Sequence, residues 1–338
     1  MDSSRPPRWT VSLPDLAGRR AVVTGASDGV GIEIARGLAT AGADVVLPVR
    51  NRAKGERAVA LIREDAPDAA LTLVDCDLAR LGSVAAAADR LLADGLPIHV
   101  LVLNAGMIAL GDPERHLSAD GFELHFQTNH LGHFALVSRI LPLLSAGRAR
   151  VTVQSSLAAR FARIRWDDLQ LATHYSVLGA YGASKAALSL FALELGRRSA
   201  DAGWAITTNL SHPGIAITNI APAELLESRS VWARLARRIM DAGVGGTPAE
   251  ASLPALYAAA HPDAAPGRFY GPGGMLHLQG PPRRQRVYRR IADTARARRI
   301  LEVSEELAGV RFEIPPTNRT SESRIRSNAW NEDSAPAE

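Results

Sequence analysis

The chain has 338 residues, enough for one large domain or two small ones, and with 46% apolar and 22% charged residues it can bury a substantial core. The single cysteine, Cys76, excludes an intrachain disulfide. No apolar leader opens Met1 to Pro14 and no run approaches the ~18 apolar residues needed to cross a bilayer, so the expectation is a cytoplasmic protein. The net charge of +4 is modest, but the surplus is local: Arg283, Arg284, Arg286, Arg289, Arg290, Arg296, Arg298 and Arg299 crowd one late segment. Such a run is commonly the solvated face of a helix, and otherwise a surface for nucleic acid or an anionic membrane.

Residues 1–13 are polar and expected to be flexible. From residue 20 apolar strands alternate with helical patterns. Ala21–Val23 precedes a helix over Val30–Ala41, Val45–Leu47 one over Ala53–Glu64, and Leu71–Val74 one over Ser83–Leu92. Val100–Leu103 ends at Asn104-Ala105-Gly106, and a long helix follows over about Asp120–Leu144. Val151–Val153 is a fifth strand, Ala180–Ala200 a further helix and Ala205–Leu210 a sixth strand. Residues 215–241 form an amphipathic insertion suited to a substrate lid, Thr247–Glu250 starts a helix, and Arg268–Tyr270 is a last strand. This alternation of near-continuous apolar strands with helices predicts an α/β fold, a single doubly wound Rossmann domain with a central parallel sheet over residues 14–280. An Arg-rich helical extension is expected over 281–313 and a disordered tail over 314–338.

The first strand runs into Thr24-Gly25-Ala26-Ser27-Asp28-Gly29-Val30-Gly31. Glycines there let the backbone turn tightly and approach a pyrophosphate, whose charge rests on the helix N-terminus. The spacing differs from G-x-G-x-x-G, so alone it is a moderate signal. At the end of the second strand, where an acid would hold the ribose 2′-hydroxyl of NAD, stand Arg50, Asn51 and Arg52. A guanidinium can hold a 2′-phosphate with paired hydrogen bonds, so NADP(H) is favoured over NAD(H), although Asp28 adds negative charge nearby. Asp77, followed by Leu78, is offered to the adenine amino group. Asn104, Ala105 and Gly106 sit at a strand C-terminus, where open α/β sheets bind ligands. Far downstream come Ser156 and Tyr181-Gly182-Ala183-Ser184-Lys185. A Tyr one helical turn before a Lys is a place to hold a poised proton. Tyr175 lacks such a partner, since Gly179 stands four residues on.

Taken together, Thr-Gly-x-x-x-Gly-x-Gly, Asn-Ala-Gly, an Asn in the long helix, a Ser after strand five and Tyr-x-x-x-Lys resemble the short-chain dehydrogenase/reductase family over about residues 16–275. The words Val49-Arg50-Asn51, Lys54-Gly55-Glu56, Asp77-Leu78-Ala79 and Thr128–Phe134 resemble its retinol-dehydrogenase-like branch. The resemblance implies that Tyr181 is the acid/base, that Lys185 and the nicotinamide lower its pKa, and that Lys185 bonds the nicotinamide ribose. It implies further that Ser156 polarises the substrate carbonyl and that Asn129 holds a water linking Lys185 to solvent. Pro213, Gly214, Ile215 and Thr218 match the Pro-Gly segment that meets the carboxamide, and a homodimer or homotetramer pairing through the long helices is implied. The helix pattern at Ile291, Ile300, Leu301, Val303 and Leu307 could cover that pairing surface or extend it. No metal is expected; His125, His130 and His133 lack a zincin-like ligand set.

An apolar pocket from the lid (Ile217, Ile220, Trp232 and neighbours) and from Phe161, Ile164, Trp166 and Leu169 would suit a lipophilic or aromatic ketone, aldehyde or alcohol. Two alternatives stand beside the enzyme: a non-catalytic NADP-binding regulator on the same fold, and a nucleic-acid or membrane role for the arginine segment.

Overall fold

The structure is a computed structural model and describes residues 7–214 and 246–312. The expected lid, with Ile215 and Thr218, lies outside the described residues, as do the expected tail over 314–338 and residues 1–6. Eight strands form one sheet in the order β3-β2-β1-β4-β5-β6-β7-β8. They are β1 Arg20–Val23, β2 Asp44–Val49, β3 Leu71–Asp75, β4 Val100–Leu103, β5 Arg150–Gln154, β6 Thr207–Ser211, β7 Phe269–Pro272 and β8 Pro282–Gln285. All neighbours are parallel except β7 and β8. The order reverses between β1 and β4, which opens a crevice beyond their C-terminal ends.

Helices cover both faces, which is why the central strands carry apolar residues on both sides. On one side α1 (Gly29–Thr40), α2 (Arg52–Asp65) and α7 (Pro248–Ala260) pack on Ala21, Val23, Val45 and Leu47. A Cβ at Gly37 would lie 2.9 Å from the Leu256 side chain, so α1 and α7 cross closely only because Gly37 is small. On the other side lie α3 (Leu81–Asp94), α5 (Gly132–Ala146), α6 (Val177–Ala202) and α8 (Thr294–Ala308), closed over Leu101, Leu103, Val151 and Val153.

Three expectations are corrected. The long helix does not begin at Asp120. A short α4 (Leu124–Phe126), capped by the Glu123 carboxylate, passes through a π turn at Gln127–Leu131 into α5. One extra residue in that turn rotates α5 relative to α4, as π turns at functional sites do. The Arg-rich segment is not helical throughout. Pro281 and Pro282 cannot continue a helix, and Pro282–Gln285 instead pairs antiparallel along β7 as an edge strand, with helix resuming only after the Asp293 N-cap. Nor is all of the first segment loose: Arg8 pairs with the buried Glu250 at 2.9 Å, and Leu13 packs on the core.

The α8 segment is part of the same core. Ile291, Ile300, Leu301 and Phe312 are buried with Phe134 and Phe191, at about 1.5–3 kcal/mol gross for each large side chain. Phe312 completes an aromatic cluster with Phe134, Phe191 and Trp204, and Ser304 bonds His130 at 2.8 Å. α8 therefore covers α6, the helix that the family resemblance assigned to pairing between subunits.

Candidate active site

The crevice is a cleft of about 490 Å³. It is lined by the glycine turn (Gly25, Ser27, Asp28, Gly29, Val30, Gly31), by Arg50 and Asn51 after β2, by Asp77 and Leu78 after β3, and by Asn104, Ala105 and Gly106 after β4. Tyr181, Lys185 and Pro213 close its other end. Sequence spacing thus brought most of its candidates to one place. Three described candidates do not themselves line the cleft: Ser156 and Asn129 stand behind it, with Ser155 in the lining, and Gly214 turns away. The Gly214 amide donates to His212 Nδ1 at 3.1 Å, and at φ +73° a Cβ would meet the Leu278 carbonyl.

The turn holds its shape for identifiable reasons. Gly25 has φ +68°, and a Cβ there would sit 2.8 Å from the Ala105 Cα. At Gly31 a Cβ would run into the Gly25 carbonyl oxygen and the Asn104 amide. Asp28 caps α1 by accepting from the Gly29 amide at 2.7 Å, and Asn51 caps α2 by accepting from the Lys54 amide at 3.0 Å. Asn104 serves the framework: its side-chain amide donates to the carbonyls of Thr24 and Gly25 at 3.0 and 3.4 Å. Asp77 accepts from the Ala79 amide at 3.0 Å and faces Arg80 at 3.7 Å.

Beyond β2 the cleft meets Arg50 and Lys54, the latter missed as a candidate although it stands in the sequence word that suggested the branch. Lys54 Nζ lies 4.0 Å from Asp28. Arg52 is drawn aside by Asp75 and Glu56, at 3.4 and 3.6 Å.

At the opposite end Ser156 caps a 3-10 turn (Leu157–Arg160), accepting from the Ala158 amide at 3.2 Å, and bonds the Tyr181 phenol. Its neighbour Ser155 is buried against Ser189 at 2.8 Å. Burial holds the Tyr181 phenol above its ordinary value, against the opposing pull of the Ser156 bond. The same burial brings Lys185 down to about 8. Its ammonium donates to the Gln154 carbonyl at 3.0 Å and packs under Gly106, where a Cβ would come within 2.8 Å of Nζ.

The Asn129 side chain ties the loop after β4 to α6. Oδ1 accepts from the Met107 amide at 2.7 Å, and Nδ2 donates to the Met107 carbonyl and Ser184 Oγ at 3.0 and 2.9 Å. Oδ1, with one donor, and the Asn129 backbone carbonyl each retain capacity to accept a further hydrogen bond. That carbonyl lies 3.0 Å from His133 Nδ1, and His133 Nε2 lies 2.9 Å from Thr24 Oγ1. Burial pushes His133 down to about 3, so the ring is neutral. With the proton on Nδ1, His133 donates to Asn129 and accepts from Thr24, whose oxygen takes the amides of Asn104 and Ala105 at 3.0 Å each. The three helix histidines thus have structural partners: His133 here, His130 with Ser304, and His125 with Glu123 at 2.7 Å.

None of the four described residues expected in the apolar wall, Phe161, Ile164, Trp166 and Leu169, lines the cleft, and Phe161 stands in solvent. Ile164 and Trp166 pack against the core, and Arg299 lies 4.6 Å over the Trp166 ring, so neither lines the cleft. Met107 and Ile108, which no sequence motif marked, take that place.

The lining fits a dinucleotide. The turns at Gly25 and Gly31 admit no Cβ, cationic side chains stand at one end, and two buried polar atoms of the lining, Gln154 Nε2 and Thr128 Oγ1, have no partner among the described residues.

A family model described as short chain dehydrogenase matches residues 19–227. Human polyprenol dehydrogenase is 36% identical over 257 residues, 74% of this chain and 75% of that protein. Mouse retinol dehydrogenase 12 is 39% identical over 206 residues, 61% of this chain and 64% of that protein. Among solved structures, an uncharacterised protein from Mycobacterium paratuberculosis has a TM-score of 0.70 at 33% identity, covering 90% of this chain and 98% of that one. A 3-oxoacyl (acyl-carrier-protein) reductase from Agrobacterium tumefaciens with NADP bound has a TM-score of 0.58 at 25% identity, covering 74% and 90%.

Proposed function

The chain belongs to the short-chain dehydrogenase family of nicotinamide-dependent oxidoreductases, and from that premise we propose an NADP(H)-dependent enzyme that interconverts a lipophilic or aromatic ketone or aldehyde with its alcohol. One observation carries the reading: Ser156, Tyr181 and Lys185 converge at the end of a glycine-lined cleft whose other end is cationic.

The bound nicotinamide supplies or accepts a hydride at the carbonyl carbon; the chain manages the proton and the oxygen. In the reductive direction Tyr181 Oη gives its proton to the carbonyl oxygen as the hydride arrives, and Ser156 Oγ donates a hydrogen bond to the same oxygen as charge builds there. A phenol held protonated by burial is already in the donor form. Lys185, charged below about 8, stabilises the phenolate left behind and meets the ribose. Asn129 acts as a brace, keeping the Met107 loop against α6 so that Gly106 stays over Lys185. At the far end Arg50 and Lys54 would hold a 2′-phosphate, which favours NADP(H); Gly25, Ser27, Gly29, Val30 and Gly31 would hold the pyrophosphate; and Asp77 and Leu78 would meet the adenine. Pro213, with Ile215 and Thr218 beyond it, would meet the carboxamide. Met107 and Ile108 supply apolar contact for the substrate. Since α8 covers α6, pairing through that helix would require α8 to move, and the oligomer proposed from the resemblance would use another surface.

The test is oxidation of NADPH and NADH against a panel of apolar ketones, aldehydes and quinones. Turnover favouring NADPH by about tenfold or more supports the reading. Tight NADPH binding without turnover in either direction across the panel moves the protein to a cofactor-binding regulator.

A further inference from the structure

Several of the arginines that the reaction leaves unused meet at one seam of the surface. Residues 282–299 hold eight arginines against one acid, Asp293. Asp293 is committed to capping α8 and to Arg296 at 3.4 Å. The fold sets this segment against the loop that follows Ser156, which adds the exposed Arg160, Arg163 and Arg165, the last of them facing Asp168, beside Asp167. Arg290 Nη1 joins the two, donating to the carbonyls of Phe161 and Ala162 at 2.7 and 3.1 Å, and Arg299 caps Trp166. At this seam Phe161 stands 75% exposed, with the Arg160 guanidinium 5.6 Å from its ring. Only one 3-10 turn separates Phe161 from Ser156, so the basic face adjoins the reaction end of the cleft.

A solvent-facing aromatic ring within a field of arginines gains nothing from water. An anionic bilayer satisfies both parts, with guanidinium groups on headgroup phosphates and the ring at the acyl boundary. A nucleic-acid strand would use the charges but needs open ring faces on which to stack. Trp166 is capped by Arg299, and Tyr288 stands edge-on to Phe269 with its centroid 5.0 Å away, which among the described residues of this seam leaves Phe161 alone. We propose that this face is a peripheral docking surface for membranes carrying anionic phospholipid, with Arg160, Arg163 and Arg289 at the phosphates and Phe161 inserted beside the mouth of the reaction site.

The test is co-sedimentation of the full chain with phosphatidylcholine vesicles, with and without about one-third phosphatidylglycerol, at low salt and at about 0.5 M salt. The expected result is binding to the anionic vesicles only, released by salt. Replacing Arg160, Arg163 and Arg289 together by Glu should weaken it by about tenfold or more. Phe161→Ser should weaken it several-fold and leave the salt dependence in place. NADPH binding by each variant reports that it has folded, and because none of these residues lines the cleft, the outcome is separate from the hydride-transfer reading. No binding to anionic vesicles, equal binding by the triple-Glu variant, or retention of a single-stranded oligonucleotide in place of vesicles would overturn the proposal.

Discussion

The two ends of the cleft are built from different materials. At the end proposed for the adenosine the lining is made of backbone, of the helix caps Asp28 and Asn51, and of the exposed side chain of Arg50. At the reaction end the working groups are side chains with buried supports: Lys185 is 3% exposed and Asn129 is fully buried. Exposed charges in water contribute little individually and tolerate substitution, whereas a buried polar group removed from a network leaves its partners unsatisfied. Changes at the reaction end should therefore appear in kcat, and changes at the adenosine end in KM for the cofactor. The histidine that links the two ends, His133, is neutral and buried and belongs to the framework of both.

Several substitutions would sharpen or break this contrast. Ser156→Ala should lower kcat by about 10²–10³-fold with cofactor affinity within a few-fold of wild type, measured by steady-state kinetics and fluorescence titration. An equal loss of affinity would erase the distinction between the ends. Gly31→Ala, whose Cβ runs into the Gly25 carbonyl oxygen, should weaken cofactor binding by about 10–100-fold. Arg50→Ala should raise KM for NADPH by about tenfold and leave KM for NADH unchanged; an equal rise for both would place Arg50 outside any 2′-phosphate contact. The smallest effect is in pH. Lys185 is lowered to about 8 by burial, so it carries its charge below that pH and loses it above. The reductive kcat should then fall a few-fold as pH rises from about 7.5 to 9, measured under saturating cofactor. A flat profile would show that the Lys185 charge does not assist Tyr181.

The parts of the fold legible in the sequence were those with a strict local requirement. Strands buried on both faces read as Val- and Leu-rich runs, and a turn that excludes Cβ at Gly25 and Gly31 must spell itself in glycine. The site residues on β1, β3, β4 and α6 followed from those landmarks. Less legible were the features fixed by distant contacts. The edge strand Pro282–Gln285 lacks an apolar alternation because only its pairing with β7 holds it. The π turn at Gln127–Leu131 carries no compositional mark. Trp166 and Ile164 were apolar and near the site in sequence, but α8 drew them to the core. Asn129 was visible as a position, but its bonds to Met107 and Ser184, 22 and 55 residues away, were not legible from the sequence.

The central claim is that Tyr181 moves the proton, assisted by Ser156 and Lys185, while the other end of the cleft binds the cofactor. The most direct test compares wild type with Tyr181→Phe for NADPH affinity by fluorescence titration and for NADPH oxidation with any carbonyl that the wild type reduces. The account predicts affinity within a few-fold of wild type and a loss of turnover of about 10²–10⁴-fold. Turnover that survives the loss of the hydroxyl would contradict it and move the proton to another donor.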